Sequence, residues 1–379
     1  MIDDDATALE ELRNILQGAV EAGASDIHLK GDAPVMFRVN GALIAVDCPM
    51  PSDGWMEAVA RAIGTPLVHQ RMNENCEADF SYECEGVGRF RTNLFKQRGR
   101  LVLAMRLVKS EIRSISELNL PAIVKRLAEQ PHGLILVAGS TGCGKSTTIA
   151  AIVEHINSHF KRHIITLEDP IEYVFEDKLS RIEQREIGID THSFAEGLQN
   201  VLRQDPDVVV IGEMRDAASL SAAMRAVNTG HLVLSSLHTY DAAQAIMRAL
   251  EFFRQEEHEQ LRHQLARGLA AVLCQKLVHG MDGTVLPTVE ILINSPSVHE
   301  LIEIGRLEDL PAAIETGGEV GMQTFNQALF NLAKERKISQ EEALAHAPNP
   351  EGLKMNFKGI FLLGSSRRIL GPGRSEMSR

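Results

Sequence analysis

Leu134-Ile-Leu-Val-Ala138, then Gly139-Ser140-Thr141-Gly142-Cys143-Gly144-Lys145-Ser146-Thr147, then a helical stretch to Phe160: an apolar run, a glycine loop and a helix follow without a gap. The loop matches G-x-x-x-x-G-K-[ST], and strand–loop–helix is the context that motif needs. Its glycines let successive backbone N–H groups curl around a β-phosphate at a helix N-terminus, where the dipole favours an anion. Lys145 would reach the β- and γ-phosphates, and the Ser146 hydroxyl would ligate Mg²⁺. The residues expected to bind nucleotide are therefore Gly139, Ser140, Thr141, Gly142, Cys143, Gly144, Lys145, Ser146 and Thr147, with ATP and Mg²⁺ as cofactors.

Downstream, His163–Leu167, Val208–Ile211 and Leu232–Ser235 are further apolar runs bounded by turns and separated by helical stretches. Such runs fit strands buried on both faces of a mainly parallel sheet, an α/β architecture. Ligands bind beyond the carboxyl ends of such strands. Glu213, just past Val208–Ile211 and Gly212, is accordingly a candidate for holding magnesium or polarising water. Glu168-Asp169 after His163–Leu167 offers a second acid, although acids after strands are also common turn residues. His231 and His238 bracket the Leu232–Ser235 strand, and His238 would emerge on the same edge as Glu213. There it could hydrogen-bond a γ-phosphate.

Upstream, Leu9, Leu12, Leu16 and Val20 recur at helical spacing, with Gly23 as a stop. Alternating segments at 26–30, 35–39, 80–84 and 88–95 read as an antiparallel sheet, interrupted by a helix near 56–63. A small α+β domain over 1–107 is expected, then a linker at 108–121, a nucleotide-binding domain over 122–353 and a basic, loosely attached tail at 354–379. Beyond Leu261 the pattern reads as mostly helical, with a hairpin-like break at Gly280–Gly283.

The chain has 379 residues, enough for two to three domains, and a net charge of −12 with 4% aromatic residues. That combination argues against a nucleic-acid motor, which needs a basic channel with stacking aromatics. No run is long enough to span a bilayer, and Met1-Ile-Asp-Asp-Asp lacks the features of a signal peptide. Five scattered cysteines without a CxxC pair fit a reducing cytoplasm and no structural zinc.

Taken in order, these stretches resemble the secretion and type IV pilus ATPases, in the PilT/PilU retraction branch. The resemblance rests on Gly139–Ser146, Ile165-Thr-Leu-Glu168-Asp169-Pro170-Ile171-Glu172-Tyr173, Leu202–Asp216, Thr229–Thr239, Gly188–Phe194 and Gly321-Met-Gln-Thr-Phe325. It implies a RecA-like P-loop NTPase core with a smaller PAS-like α+β N-terminal domain, assembled as a homo-hexamer that hydrolyses ATP to power pilus retraction. Glu213 would be the catalytic glutamate, Glu168 a second acid, and His231 and His238 paired histidines. Arg91 and Arg106 of the N-terminal domain would touch phosphates, since guanidinium suits phosphoryl groups. Expected partners are an inner-membrane pilus platform protein and a paralogous retraction ATPase, with no nucleic acid. The location would be cytoplasmic, at the membrane through the pilus machine. A type II secretion or pilus-extension ATPase, or a weakly hydrolysing PilU-like accessory subunit, would share this chemistry. One departure stands out: the family's late basic helix appears as Ser297-Val-His-Glu-Leu-Ile-Glu303-Ile-Gly-Arg306, with Glu303 for a basic residue.

Overall fold

A computed structural model describes residues 2–108, 111–363 and 368–369. Its chain divides into two compact units. The first begins with helix α1 (Ile2–Glu21) and continues through strands β1 (Asp26–Lys30), β2 (Met36–Val39) and β3 (Ala42–Ala45). Helices α2 (Asp53–Ile63) and α3 (Pro66–Asn75) lead to β4 (Glu77–Cys84), β5 (Gly88–Gln97) and β6 (Arg100–Leu107). Among the described residues these six strands form an antiparallel sheet in the order β3-β2-β1-β6-β5-β4.

Local chemistry explains the elements. Ala8, Leu12, Leu16 and Ala19 are buried along one stripe of α1, as helical spacing requires. Ser52 caps α2 by accepting from Trp55 N–H, and Thr65 with Pro66 starts α3. On β5, Phe90, Thr92 and Leu94 face the core while Arg91 faces out, the alternation of a half-buried strand. Two later stretches, 168–175 and 184–193, also belong to this unit.

The second unit opens with residues 112–121, where Ile115, Leu118 and Leu120 are buried. The stretch expected to be a bare linker is thus anchored by its spaced apolar residues. Helix α4 (Ile123–Ala128) precedes β7 (Gly133–Ala138), α5 (Lys145–His159), β8 (His163–Glu168), β9 (Arg181–Glu186), α6 (Phe194–Val201) and β10 (Val208–Ile211). Then come α7 (Ala217–Asn228), β11 (Leu232–Leu237), α8 (Ala242–Glu251), α9 (His258–Gly268), β12 (Leu269–His279) and β13 (Val285–Ile293). The seven strands run in the order β13-β12-β7-β11-β10-β8-β9. Every residue of β7, β10 and β11 is buried, and these strands pair in parallel. This is the mixed α/β fold with a parallel sheet that the apolar runs predict.

β12 and β13 correct the reading of that region as mostly helical. Leu269–Leu273 is a continuous apolar run, and periodicity alone does not separate a buried strand from a buried helix. β12 pairs in parallel with β7 and antiparallel with β13, so it covers the flank of the phosphate-loop strand. Helices α10 (Pro296–Ile304), α11 (Leu310–Thr316), α12 (Phe325–Lys334), α13 (Gln340–His346) and α14 (Pro350–Phe357) complete the unit. α14 runs past residue 354, where the tail is expected to begin. Its Leu353 is buried and its Phe357 ring lies 5.5 Å from that of Phe330. The tail's residues 364–367 and 370–379 lie outside the described residues.

Candidate nucleotide site at the carboxyl edge of the parallel sheet

The loop after β7 turns through Gly139, Gly142 and Gly144, with φ of 149°, 81° and 90°. Such angles favour glycine. Crowding adds a second reason at Gly139, where a Cβ would fall 2.5 Å from the Gln275 carbonyl oxygen. Gly144 in the left-handed region starts α5, which places Lys145 in its first turn.

Lys145 is buried, and its ammonium donates to the carbonyls of Gly139 at 2.9 Å and Ser140 at 3.0 Å. Its third neighbour is His238 Nδ1, at 3.5 Å. An ammonium can only donate, so Nδ1 is the accepting nitrogen and the ring proton sits on Nε2. Nε2 faces Glu213 Oε1 at 3.3 Å. Arg215 holds the other carboxylate oxygen, Oε2, through Nε at 3.0 Å and Nη2 at 2.9 Å. Lys145, His238, Glu213 and Arg215 thus form a polar chain. It is built where β7, β11 and β10, adjacent in the sheet, release the backbone.

Other expected residues are placed as follows. His231 precedes β11, at the opposite end of the strand from His238. Its Nδ1 lies 2.8 Å from the Ala226 carbonyl and 3.0 Å from Thr229 Oγ1. His231 and His238 are therefore not brought together within the unit. Glu168 ends β8, accepting from Gln184 Nε2 at 3.1 Å and from Glu172 N–H at 3.4 Å. Arg91 and Arg106 face each other across β5 and β6 on exposed positions. Arg106 also donates to Asp26 Oδ1 at 2.7 Å. Burial would raise the Asp26 carboxyl, but hydrogen bonds from Ser25 and Arg106 outweigh it and hold the group below its ordinary value.

Gln275 is a site residue that motif reasoning missed. From β12 its Nε2 donates to the Cys143 carbonyl at 2.7 Å, and its Oε1 accepts from Thr148 Oγ1 at 2.7 Å. It thereby clamps the loop to α5. The signal was present: an amide inside the apolar run Leu269–Leu277 needs partners once buried. Cys143 is buried in the same loop, and burial pushes its thiol up against the lowering effect of Lys145.

Two cavities flank the loop. One of about 540 Å³ is lined by Gly144, Thr147, Thr148, Gln275, Arg113 and Arg336. The other, about 320 Å³, is lined by the loop itself with Tyr240, Lys276 and His346. A third, of about 490 Å³, holds Glu213, Arg215, His238 and Tyr240. These are volumes that accept small ligands.

Residues 2–286 match the family described as type II/IV secretion system protein. The type IV pilus retraction ATPase PilT of Pseudomonas aeruginosa is 38% identical over 341 residues, covering 90% of this chain and 99% of that protein. The type IV pilus ATPase PilU of the same organism is 38% identical over 352 residues, covering 92% of this chain and 91% of that one. Among solved structures, that of the pilus retraction motor PilT with bound ADP superposes with a TM-score of 0.83 at 40% identity. It covers 90% of this chain and 98% of that one. The chain belongs to the type II/IV secretion system protein family, among its PilT/PilU pilus-retraction ATPases.

Proposed function

We propose that the protein binds and hydrolyses ATP and that a homo-hexamer of it drives type IV pilus retraction. The observation that carries the chemistry is the polar chain from Lys145 through His238 to Glu213 at the mouth of a glycine loop. Lys145, now satisfied by loop carbonyls, is placed to exchange them for the β- and γ-phosphates, which are stronger, charged acceptors. Glu213 then accepts the proton of the attacking water, and His238 orients the carboxylate by donating from Nε2. Arg215 holds the second carboxylate oxygen through Nε and Nη2.

Magnesium fits the same edge. The described residues contain no cluster of three or more His, Cys, Asp or Glu able to hold a metal. Mg²⁺ typically takes one or two protein ligands plus phosphates and water. Ser146 and Glu213 would hold it, where it would neutralise phosphate charge. Glu168 serves as a second acid, His231 as the histidine paired with His238 across β11, and Arg91 and Arg106 as phosphate-directed arginines of a PAS-like N-terminal domain. The retraction role rests on similarity to PilT along nearly its full length. Among the described residues no helix is long and apolar enough to cross a membrane. The inner-membrane platform protein is the partner through which the motor would act at the membrane.

A strain lacking the protein is expected to keep surface pili and lose twitching. The wild-type gene should restore movement, and a Lys145→Ala version should not. Pili lost together with movement would point instead to extension.

A further inference from the structure

Glu186, at the end of β9, is a carboxylate with only 2% of its side chain exposed, and the nucleotide chemistry above does not use it. Four donors converge on it. Ser81 N–H reaches Oε1 at 3.1 Å, and the Ser81 hydroxyl reaches Oε2 at 2.6 Å. Arg89 Nη2 lies 2.8 Å and Ile171 N–H 3.2 Å from Oε2. Ser81 and Arg89 belong to β4 and β5, whereas Ile171 sits in the loop that begins at Glu168. A second tie runs alongside, as Ile187 N–H donates to the Glu168 carbonyl at 2.8 Å. Nearby, Gly188 has φ of 88°, and a Cβ there would meet the Arg71 guanidinium of α3 at 3.1 Å. These bonds account for the grouping of 168–175 and 184–193 with the N-terminal sheet.

A buried carboxylate held by a guanidinium and three further donors keeps one geometry, because losing any partner strands charge in a dry site. The loop it holds leads straight out of β8, the strand beside β10 in the nucleotide-binding sheet.

We propose that Glu186 is a positioning residue for ATP hydrolysis: through Ile171 it fastens the Glu168 loop to Ser81 and Arg89, so that the N-terminal sheet sets where Glu168 stands. The inference rests on the assignment of Glu168 as a second acid in the proposed ATPase. It makes residues of the N-terminal unit determinants of turnover without contact to nucleotide.

The test is a double-mutant cycle on the full-length protein, with steady-state ATP turnover, fluorescent-nucleotide affinity and thermal melting read for each variant. Glu168→Gln, Glu186→Gln and the double variant form the cycle. Ser81→Ala, which removes one donor and leaves the ion pair, covers the case in which Glu186→Gln fails to fold. Glu186→Gln is expected to lower kcat about tenfold with nucleotide affinity within about twofold, and to add nothing in the Glu168→Gln background. Ser81→Ala should lower kcat about two- to threefold, again only when Glu168 is present. Losses that multiply in the double variants would overturn the proposal, as would full turnover in a folded Glu186→Gln or Ser81→Ala protein. If Glu168→Gln alone keeps wild-type turnover, the assignment of Glu168 fails and the proposal falls with it. A wild-type protein without turnover would instead fail the ATPase reading itself.

Discussion

The two edges of the seven-stranded sheet are made from the same residue types and put them to different uses. At the amino edge, His231 is held by the Ala226 carbonyl and Thr229, His163 Nδ1 lies 3.0 Å from the Asp205 carbonyl, and Asp207 accepts from His163 N–H at 2.7 Å. Each of these three side chains has a neighbouring backbone partner, and the one titratable pair they make among the described residues, His163 Nε2 with Glu183 Oε2, is long at 3.6 Å. At the carboxyl edge, Lys145, His238, Glu213 and Arg215 are joined to one another, and three of them are charged groups that a phosphate or metal could claim. Side chains that answer backbone groups stabilise a fold, whereas titratable side chains that answer each other beside a cavity mark chemistry.

Substitutions can break this contrast. Lys145→Ala removes the charged donor from the carboxyl edge and should weaken ATP binding by about 100-fold or more, the scale of losing one or two charge-assisted hydrogen bonds. Fluorescent-nucleotide titration checks this, with melting expected near the wild-type value. Gln275→Leu strands the Cys143 carbonyl and the Thr148 hydroxyl, each costing about 1–3 kcal/mol. It should lower both the melting temperature and nucleotide affinity, the latter about tenfold. His231→Ala should show the opposite profile: roughly 1 kcal/mol of stability lost for one hydrogen bond, and nucleotide affinity of the subunit unchanged. Equal losses of affinity in His231→Ala and His238→Ala would erase the distinction between the edges.

The smallest effect concerns acid. Although burial opposes it, hydrogen bonds from Ser25 and Arg106 hold the folded-state pKa of Asp26 below its ordinary value. Its stabilisation is therefore present above the unfolded pKa and is lost as pH falls through the lower, folded one. Arg106 is 68% exposed, so solvent screening reduces the pair to a few tenths of a kcal/mol. Asp26→Asn should cost those few tenths of a kcal/mol above pH ~5 and match the wild type once the pH is below the folded pKa, so that the acid limb of its stability profile is slightly flatter.

Much of this was legible in the residues. The glycine loop, Glu213 and His238 follow short, largely apolar strands that are buried along their whole length, and such strands leave little choice of architecture. Gln275 escaped because it acts from a strand that resembles a helix in pattern, with no local partner to betray it. The separation of His231 from His238 was hidden for another reason: six strand residues lie between them, and a paired motif says nothing of which edge each end meets. Glu186 was silent as well, since its partners Ser81 and Arg89 stand about a hundred residues away in the chain. Neither pattern nor propensity reports a contact of that range. The 112–121 stretch looked like a linker because its apolar residues are spaced singly, yet single buried side chains suffice to fasten a segment.

The most direct test of the central claim is ATP turnover by the purified protein beside Glu213→Gln, with the mass of each assembly measured in ATP. The account predicts a wild-type hexamer that hydrolyses ATP, and a mutant that assembles and binds ATP while turnover falls by about 100-fold or more. A mutant that hydrolyses at the wild-type rate, or a wild type that binds ATP without hydrolysing it, would contradict it.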